Sequence, residues 1–294
     1  MSIRTPIFVP PRERDATGAD TLGAYRAAIG SLPSSAEVAR RPAGAVVVVD
    51  GRAAGGWLPE VGDALASGAL GVVVDEAMPP AADALAGARA AAGVGLDVGA
   101  GVGATAGHPP VLVARRFLPG VLVDAVLALV GAQADVARLV TVEVRGAASS
   151  GVLRDALGWA RALTGSSLVL ANVRGDARGA TALAESESGI PVTVSWRRGT
   201  GAAWLRVAAL GATEVEVVVD PEVGVVRGAV RSVRGEQVVG PGYEEPARVE
   251  LRRAIATVRA SGQLRSECAD LRHVLSDLEL ARQLGDAGPS NVCP

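Results

Sequence analysis

Short apolar runs alternate with helical segments over the first part of the chain. The runs lie at residues 45–49, 72–74 and 111–114, and glycine, proline or charged residues bound each of them. Continuous apolar runs of this length are typical of strands buried on both faces of a parallel sheet. Segments with helical periodicity separate the runs, and the one at residues 58–67 stops at Gly68. This order predicts a doubly wound, Rossmann-like α/β domain over residues 1–137.

The pattern changes to strict alternation after residue 138. Apolar residues occupy every second position in residues 140–144, 192–196 and 215–219, as expected for strands with one buried face. Amphipathic helices are predicted at residues 153–163, 248–259 and 268–284. We therefore expect a second α+β domain over residues 138–294, with an open antiparallel sheet and helices. Residues 34–40 indicate a short helix or turn in the first domain.

Composition excludes several classes of function. The 294 residues carry a net charge of -2, and all 29 basic residues are arginine, so Schiff-base chemistry on a lysine is excluded. Balanced charge predicts neither nucleic-acid nor membrane-surface binding, and no apolar run is long enough to span a bilayer. Two cysteines, Cys268 and Cys293, lack the spacing of a metal site. No metal is therefore predicted, and a reducing cytoplasm is expected.

Polar residues follow the apolar strand at residues 72–74 directly. Asp75 and Glu76 stand there, and ligands of open α/β sheets bind at the carboxyl ends of the strands. The glycine loop that holds a dinucleotide is missing after the first predicted strand, where Pro10 and Pro11 stand instead. A later glycine-rich segment, at residues 93–107, is followed by His108-Pro-Pro and is expected to be a loop. The sequence thus predicts no bound cofactor.

Four short motifs resemble those of the Gfo/Idh/MocA family, the glucose-fructose oxidoreductases and inositol dehydrogenases. Residues 72–79 (VVVDEAMP) are similar to the family's strand ending in Glu/Asp-Lys-Pro, and residues 115–119 (RRFLP) to its Arg-Phe-x-Pro element. Residues 142–146 (VEVRG) resemble the first strand of its second domain, and residues 151–159 (GVLRDALGW) its Gly-x-x-x-Asp-x-x-x-His helix. The resemblance implies NAD(P)-linked oxidation or reduction of sugars, cyclitols and related alcohols.

The departures from the family fall on its proton-transfer residues. Glu76 stands at the family's lysine, Trp159 at its histidine, and Trp57 at a further histidine, whereas Asp155 is retained. A carboxylate cannot supply the lysine's positive charge, and an indole does not exchange a proton near neutral pH. The resemblance is therefore to a degenerate member. The candidate catalytic residues are Glu76 and Asp155, and the candidate substrate-pocket residues are Trp57, Arg115, Arg116 and Trp159.

A structural role remains open for each candidate. The sequence favours a solvated turn residue for Glu76, and Asp155 equally fits a residue that faces solvent or pairs with an arginine. The two arginines fit ion pairs, and the two tryptophans fit core packing.

Three main hypotheses about function remain open, and nothing in the sequence excludes a simple ligand-binding module. The first is a protein without redox activity that forms a homo- or hetero-oligomer through the sheet of the second domain, its partner being a second copy or an active paralogue. That hypothesis takes one alternating set of side chains as the interface: Val192, Val194, Trp196, Val215, Val217 and Val219. The second is an enzyme with altered acid/base chemistry at Glu76 and Asp155. The third is an NAD- or NADP-dependent oxidoreductase whose cofactor site the sequence does not reveal.

Overall fold

A computed structural model describes most of the chain. The described residues are 4–11, 20, 22–51, 56–75, 109–131, 137–146, 150–176, 178–240, 244–260 and 271–286. The helices are α1 (Gly23–Gly30), α2 (Leu58–Ala66), α3 (Gly120–Gly131), α4 (Ser150–Thr164), α5 (Pro246–Arg259) and α6 (Leu271–Asp286). The strands are β1 (Thr5–Phe8), β2 (Ala36–Val38), β3 (Val46–Asp50), β4 (Gly71–Asp75), β5 (Val111–Ala114), β6 (Leu139–Gly146), β7 (Leu168–Asp176), β8 (Gly179–Ser186), β9 (Pro191–Arg198), β10 (Trp204–Leu210), β11 (Glu214–Asp220), β12 (Val225–Ser232) and β13 (Gly235–Val239).

The chain divides into two compact units that do not follow the predicted boundary at residues 137 and 138. The first unit comprises Met1–Arg115 and Tyr243–Arg272, and the second comprises Arg116–Gly242 and His273–Pro294. Helix α5 belongs to the first unit because it packs against α1, β4 and β5. Helix α3 belongs to the second because it packs against β12, β13 and α4.

The first unit contains a five-stranded parallel sheet in the order β2-β1-β3-β4-β5. This confirms the predicted Rossmann-like sheet. Residues 34–40 include strand β2 rather than only a helix or turn, because residues 36–38 pair with β1. Three residues are too few to show a period of two in the sequence. The core between the sheet and helices α1 and α5 includes Ile7, Tyr25, Val46, Val48, Val73, Leu112, Leu251 and Ile255.

The second unit contains an eight-stranded sheet in the order β13-β12-β11-β10-β6-β9-β8-β7. Neighbouring strands are antiparallel except β6 and β9, which run parallel. The predicted antiparallel sheet is thus confirmed in outline, with one parallel pair and with two strands, β7 and β8, that the sequence did not reveal.

The two faces of this sheet differ in chemistry, and the apolar face is the covered one. Helix α3 approaches β12 so closely that a Cβ added at Gly228 would lie 2.6 Å from the side chain of Val126. The side chains predicted to form an interface lie on this face, and none is more than 5% exposed. That expectation about the apolar face is wrong, because these residues form the core beneath the unit's own helices: Val192, Val194, Trp196, Val215, Val217 and Val219.

The opposite face, which we call the outer face, carries charged side chains of both signs. Glu216 forms one ion pair with Arg206 at 2.7 Å and another with Arg231 at 3.3 Å. The hydrogen bond and charge of Arg206 lower the pKa of Glu216, and burial opposes that shift only in part. Arg145 lies over the ring of Trp204, 5.2 Å from its centroid.

Candidate functional site

Helix α4 brings two of the predicted site residues together. Asp155 and Trp159 are four residues apart, so they project from the same face of the helix, one turn apart. Asp155 is 2% exposed and Trp159 is fully buried. Both therefore act inside the protein rather than at its surface.

Asp155 and Trp159 hold the backbone of one residue, Phe117. The amide of Phe117 donates to Oδ2 of Asp155 at 3.1 Å, and the indole Nε1–H of Trp159 donates to the carbonyl of Phe117 at 2.9 Å. Phe117 lies in the irregular segment between β5 and α3, where no strand partner satisfies its backbone groups, and a buried backbone group without a partner is costly. We call the arrangement of Asp155, Trp159 and Phe117 the Phe117 clamp.

The second oxygen of Asp155 forms an ion pair with the preceding residue. Nε and Nη2 of Arg154 donate to Oδ1 of Asp155 at 2.9 and 2.6 Å. Both side chains are almost completely buried, at 3% and 2% exposure. Both carboxylate oxygens thus have partners within the fold. For Asp155 to take a proton from a substrate, it would have to lose charge-assisted hydrogen bonds that are strong in such an environment.

The other predicted site residues have separate locations. Trp57 is fully buried at the start of α2 in the first unit. Arg115 is 5% exposed and follows β5, whereas Arg116 is exposed. Glu76 and the glycine-rich segment at residues 93–107 lie outside the described residues. The catalytic and pocket roles assigned to these residues stay predictions.

Sequence reasoning missed two members of the site. Arg154 is the arginine that Asp155 pairs with, and Phe117 is the residue whose backbone the clamp holds. Adjacency gave no signal for Arg154, because consecutive residues of a helix do not normally face each other. Phe117 is part of the stretch that resembles the Arg-Phe-x-Pro element, but the sequence did not indicate that its backbone would be held, since a backbone contact does not depend on residue type.

Carboxylates also meet at the carboxyl end of the parallel sheet. Asp50 and Asp75 end neighbouring strands and are paired in register. The hydroxyl of Tyr25, on α1, hydrogen-bonds to Asp75. Burial raises the pKa of Tyr25 above its ordinary value, and the negative charges of Asp75 and Glu250 raise it further. Asp75 therefore anchors α1 to the end of β4.

A cavity of about 360 Å³ lies within the first unit and runs along β3 and α2, from Asp50 at the carboxyl end of β3 to Pro42 and Ser67 near its amino end. We call it the switch-point cavity, because the strand order of the sheet changes direction between β1 and β3. Of its lining residues, Pro10 and Pro11 follow β1, and Asp50 ends β3. In open α/β sheets ligands bind at this location. Its lining residues are Pro10, Pro11, Leu22, Pro42, Val47, Val48, Val49, Asp50, Glu60, Asp63, Ala64 and Ser67.

Sequence comparison finds no match, and structure comparison finds many. No protein-family model matches the chain, and no curated protein matches its sequence. UDP-N-acetylglucosamine 3-dehydrogenase GnnA from Acidithiobacillus ferrooxidans matches with a TM-score of 0.61 at 13% identity, over 97% of both chains. The 3-ketoreductase KijD10 from Actinomadura kijaniata, in complex with NADP, matches with a TM-score of 0.58 at 11% identity, over 97% of this chain and 98% of that one.

The chain has the Gfo/Idh/MocA oxidoreductase fold. The resemblance drawn from four short motifs is thereby confirmed at the level of the fold. In the sequence, Asp155 and Trp159 belong to the stretch that resembles the Gly-x-x-x-Asp-x-x-x-His motif, and Phe117 belongs to the stretch that resembles the Arg-Phe-x-Pro element. The Phe117 clamp thus joins two of the motifs that carried the resemblance.

The described part of the switch-point cavity does not fit the pyrophosphate of a dinucleotide, the cofactor that the fold implies. Backbone N–H groups normally cradle that group after the first strand, but Pro10 and Pro11 have none. Arg26, a cation on α1, already donates to the carbonyl of Pro10 and pairs with Asp20. Within the described lining the charged side chains are the carboxylates Asp50, Glu60 and Asp63.

Among the described residues, no three His, Cys, Asp or Glu side chains are grouped as a metal site would require. None of the helices α1 to α6 has both the length and the apolar character needed to cross a bilayer.

Proposed function

We propose that this protein is a non-catalytic member of the Gfo/Idh/MocA oxidoreductase fold that acts as a subunit or partner of another protein. The observation that carries the proposal is the Phe117 clamp. At the two helix positions where the family has its Asp and His, this chain has a carboxylate with both oxygens engaged and an indole bound to a carbonyl.

The chemistry of proton transfer supports this proposal. Oxidation of an alcohol by hydride transfer needs a group near the reacting hydroxyl that exchanges a proton close to pH 7. Trp159 is a donor only, and Asp155 is neutralised by Arg154 within the fold. The chain has no lysine to take over, so the family's proton-transfer groups have no equivalent among these residues.

The outer face of the eight-stranded sheet is the surface that we assign to the partner. Half-buried side chains of small or medium size, such as Thr141, Thr193 and Ala208, lie between the charged groups of Arg206 and Glu216. A surface that carries charges of both signs is complementary to a second surface on which positive and negative charges alternate in the same way. A second copy of this chain or an active paralogue would provide such a surface. This surface replaces the apolar face that the sequence had indicated.

A cofactor titration tests the proposal. NADH and NADPH are added to the purified protein, and the nicotinamide fluorescence is followed. We expect no saturable change up to about 1 mM, a concentration at the weak end of ordinary enzyme substrate affinities. Micromolar binding of either cofactor would contradict the proposal.

Assembly is tested separately by light scattering with size-exclusion chromatography. Glu216→Arg, which places four like charges together on the outer face, is expected to shift an oligomer to monomer. Glu37→Arg, on the exposed side of β2 in the first unit, is the matched control. If both variants keep the oligomer, or if the wild type is monomeric alone and with its paralogue, the outer face is not the interface.

An NAD(P)-dependent oxidoreductase is the second candidate function. Two observations favour it, namely the NADP in the complex of KijD10 and the position of the switch-point cavity at the end of β1 and β3. Its substrates would be sugars, cyclitols or natural-product alcohols. The same titration separates the candidates, since this one requires saturable binding of NADH or NADPH.

A further inference from the structure

Three arginines meet at one corner of the eight-stranded sheet, and we call them the basic corner. Arg174, on the edge strand β7, is paired in register with Thr181 of β8, and Arg197 of β9 is paired with Gly179 of β8. Arg178 lies in the turn between β7 and β8, and all three arginines are exposed. From the usual spacing of strands and of residues along them, the Cα atoms of Arg174 and Arg197 are roughly 12 Å apart.

The basic corner lacks the counter-charges that the other half of the outer face has. Arg206, Arg227 and Arg231 each have an oxygen of Glu216 within 3.8 Å. Among the residues that the structure describes, no carboxylate forms an ion pair with an arginine of the basic corner. The adjoining positions outside the described ranges, 147–149 and 177, are alanine and serine in the sequence and carry no charge.

Backbone contacts hold the basic corner in place. Oδ1 of Asp176 accepts from the amides of Arg178 and Gly179 at 2.7 and 3.1 Å, which closes the turn. The carbonyl of Arg178 accepts from the amide of Arg198 at 2.8 Å. A Cβ added at Gly179 would lie 2.1 Å from the carbonyl oxygen of Trp196, so a glycine is needed for this approach. One carboxylate against three guanidinium groups leaves the corner positive.

The aromatic side chains beside the corner do not favour a nucleic acid. Arg145 lies over the ring of Trp204 at 5.2 Å, and Arg198 lies over the ring of Trp196 at 4.9 Å. Single strands bind by stacking their bases on aromatic rings within a basic groove, and these arginines occupy the ring faces that a base would need.

Exposed apolar side chains on the same strands favour a protein. Leu183 of β8 and Val169 of β7 are 45% and 61% exposed and lie on the outer face. Arginine is enriched at protein interfaces, and the centres of these interfaces are apolar. A second copy that met the corner with its own corner would oppose arginine with arginine, so the complementary surface is one that carries carboxylates.

We propose that the basic corner docks an acidic segment of a different protein. Guanidinium groups bind carboxylates through paired, charge-assisted hydrogen bonds, and Leu183 and Val169 receive apolar side chains of the same segment. This inference deepens the proposed function, because it names the chemistry of the partner, and it rests on the assignment of the outer face to a partner in that function.

Two peptides of equal length test the charge preference. One alternates glutamate and alanine, the other glutamine and alanine, and each carries a dye without net charge. Their binding to the full-length protein is followed by fluorescence polarisation. The glutamate peptide is expected to bind at least about tenfold more tightly, and about 0.5 M NaCl should weaken its binding, because salt screens exposed charges. Equal binding of the two peptides, or no binding of the glutamate peptide, overturns the proposal.

Other polyanions separate the possible partners. A DNA oligonucleotide with as many negative charges as the glutamate peptide, and phosphatidylserine vesicles, are tested in the same buffer. Both are expected to bind no more tightly than the glutamate peptide. Tighter binding of the oligonucleotide or of the vesicles overturns the proposal in favour of a nucleic acid or a lipid surface.

Variants locate the binding at the corner. Arg174→Gln and Arg197→Gln are each expected to weaken binding of the glutamate peptide about threefold to tenfold, the effect of roughly one nearby charge. Arg234→Gln is the matched control, because Arg234 is an exposed arginine in the turn between β12 and β13. An unaltered affinity in both corner variants, or an equal loss in the control, overturns the proposal. Circular dichroism of each variant establishes that it is folded.

Light scattering distinguishes a different protein from a second copy. The double variant Arg174→Glu and Arg197→Glu is expected to keep the molar mass of the wild type. Loss of a wild-type oligomer in this variant would show that a second copy occupies the corner, and would overturn the proposal.

The outcome is separable from that of the proposed function. Failure of the glutamate peptide to bind, together with failure of NADPH to bind, removes the acidic partner and leaves the non-catalytic assignment intact. Saturable NADPH binding instead removes the non-catalytic assignment, whatever the peptide does.

Discussion

Neutralising Asp155 tests whether the Phe117 clamp is structural. Asp155→Asn keeps the size of the side chain and an oxygen that can accept from the amide of Phe117, at present 3.1 Å away. It removes the negative charge opposite Arg154, whose side chain is 3% exposed. We expect the variant to lose about 3–5 kcal/mol of unfolding free energy, the usual cost of breaking a buried ion pair from one side.

The size of this loss depends on burial, and an exposed ion pair provides the comparison. Arg145 and Glu143 form an ion pair of 3.4 Å on the outer face, with side chains 63% and 38% exposed. Exposed pairs contribute about 0–1 kcal/mol, so Glu143→Gln should cost at most that. Removing both buried charges with Arg154→Met and Asp155→Asn should recover part of the loss, since no uncompensated charge then remains in the core.

Urea unfolding of the three variants and the wild type measures these differences. Far-UV circular dichroism and tryptophan fluorescence are followed together, because two compact units need not unfold in one transition. A catalytic carboxylate is often held at a cost in stability, so its neutralisation commonly leaves a protein as stable or more so. If Asp155→Asn costs no more than Glu143→Gln, the clamp is not structural and the case for a non-catalytic protein weakens accordingly.

Three further predictions use other groups. Because the pKa of Tyr25 is raised in the folded state, the wild type should lose about 1.4 kcal/mol of unfolding free energy per pH unit above roughly pH 10. Tyr25→Phe should not show this tyrosine-dependent loss of unfolding free energy. Urea unfolding midpoints of both proteins at pH 9 and pH 11 measure the difference. Because the pKa of Glu216 is lowered, its contribution to folding stability should be present at pH 7 and lost as the pH falls through its folded-state pKa. The stability difference between wild type and Glu216→Gln should therefore shrink towards pH 3. A difference that stays constant with pH would contradict this prediction. Restoring the family residues with Glu76→Lys and Trp159→His should give no NADPH oxidation with sugar ketones, since Arg154 still neutralises Asp155; turnover above the wild-type background would show that the site is competent.

Much of the fold was predictable because burial leaves a period in the sequence. Strands β3, β4 and β5 appear as unbroken apolar runs since both of their faces are covered. Strands β9 and β11 appear as alternation since only one face is apolar. The order of the two patterns was enough to predict both sheets.

Other features were not predictable because they depend on contacts distant in sequence. Strand β8 buries only small side chains, Ala180, Ala182, Ala184 and Ser186, and alanine is a poor signal for a strand. Strand β7 is interrupted by a register shift between Leu170 and Asn172, which breaks its period. Alternation of apolar and polar residues shows that one face of a sheet is apolar, but it does not show what covers that face. For this reason the apolar face, which the unit's own helices cover, was predicted to be the interface.

The Phe117 clamp explains how the site residues can change while the fold persists. An irregular buried segment needs a donor and an acceptor for its backbone, and α4 supplies them from positions one turn apart, Asp155 and Trp159. A histidine at position 159 could donate to the carbonyl of Phe117 and also exchange a proton, whereas an indole can only donate. Asp155 likewise keeps its acceptor oxygens, and one of them pairs with Arg154. Under the proposed function, this chain therefore retains at both positions the hydrogen-bonding capacity that the backbone requires, while the proton exchange that hydride chemistry requires is absent there.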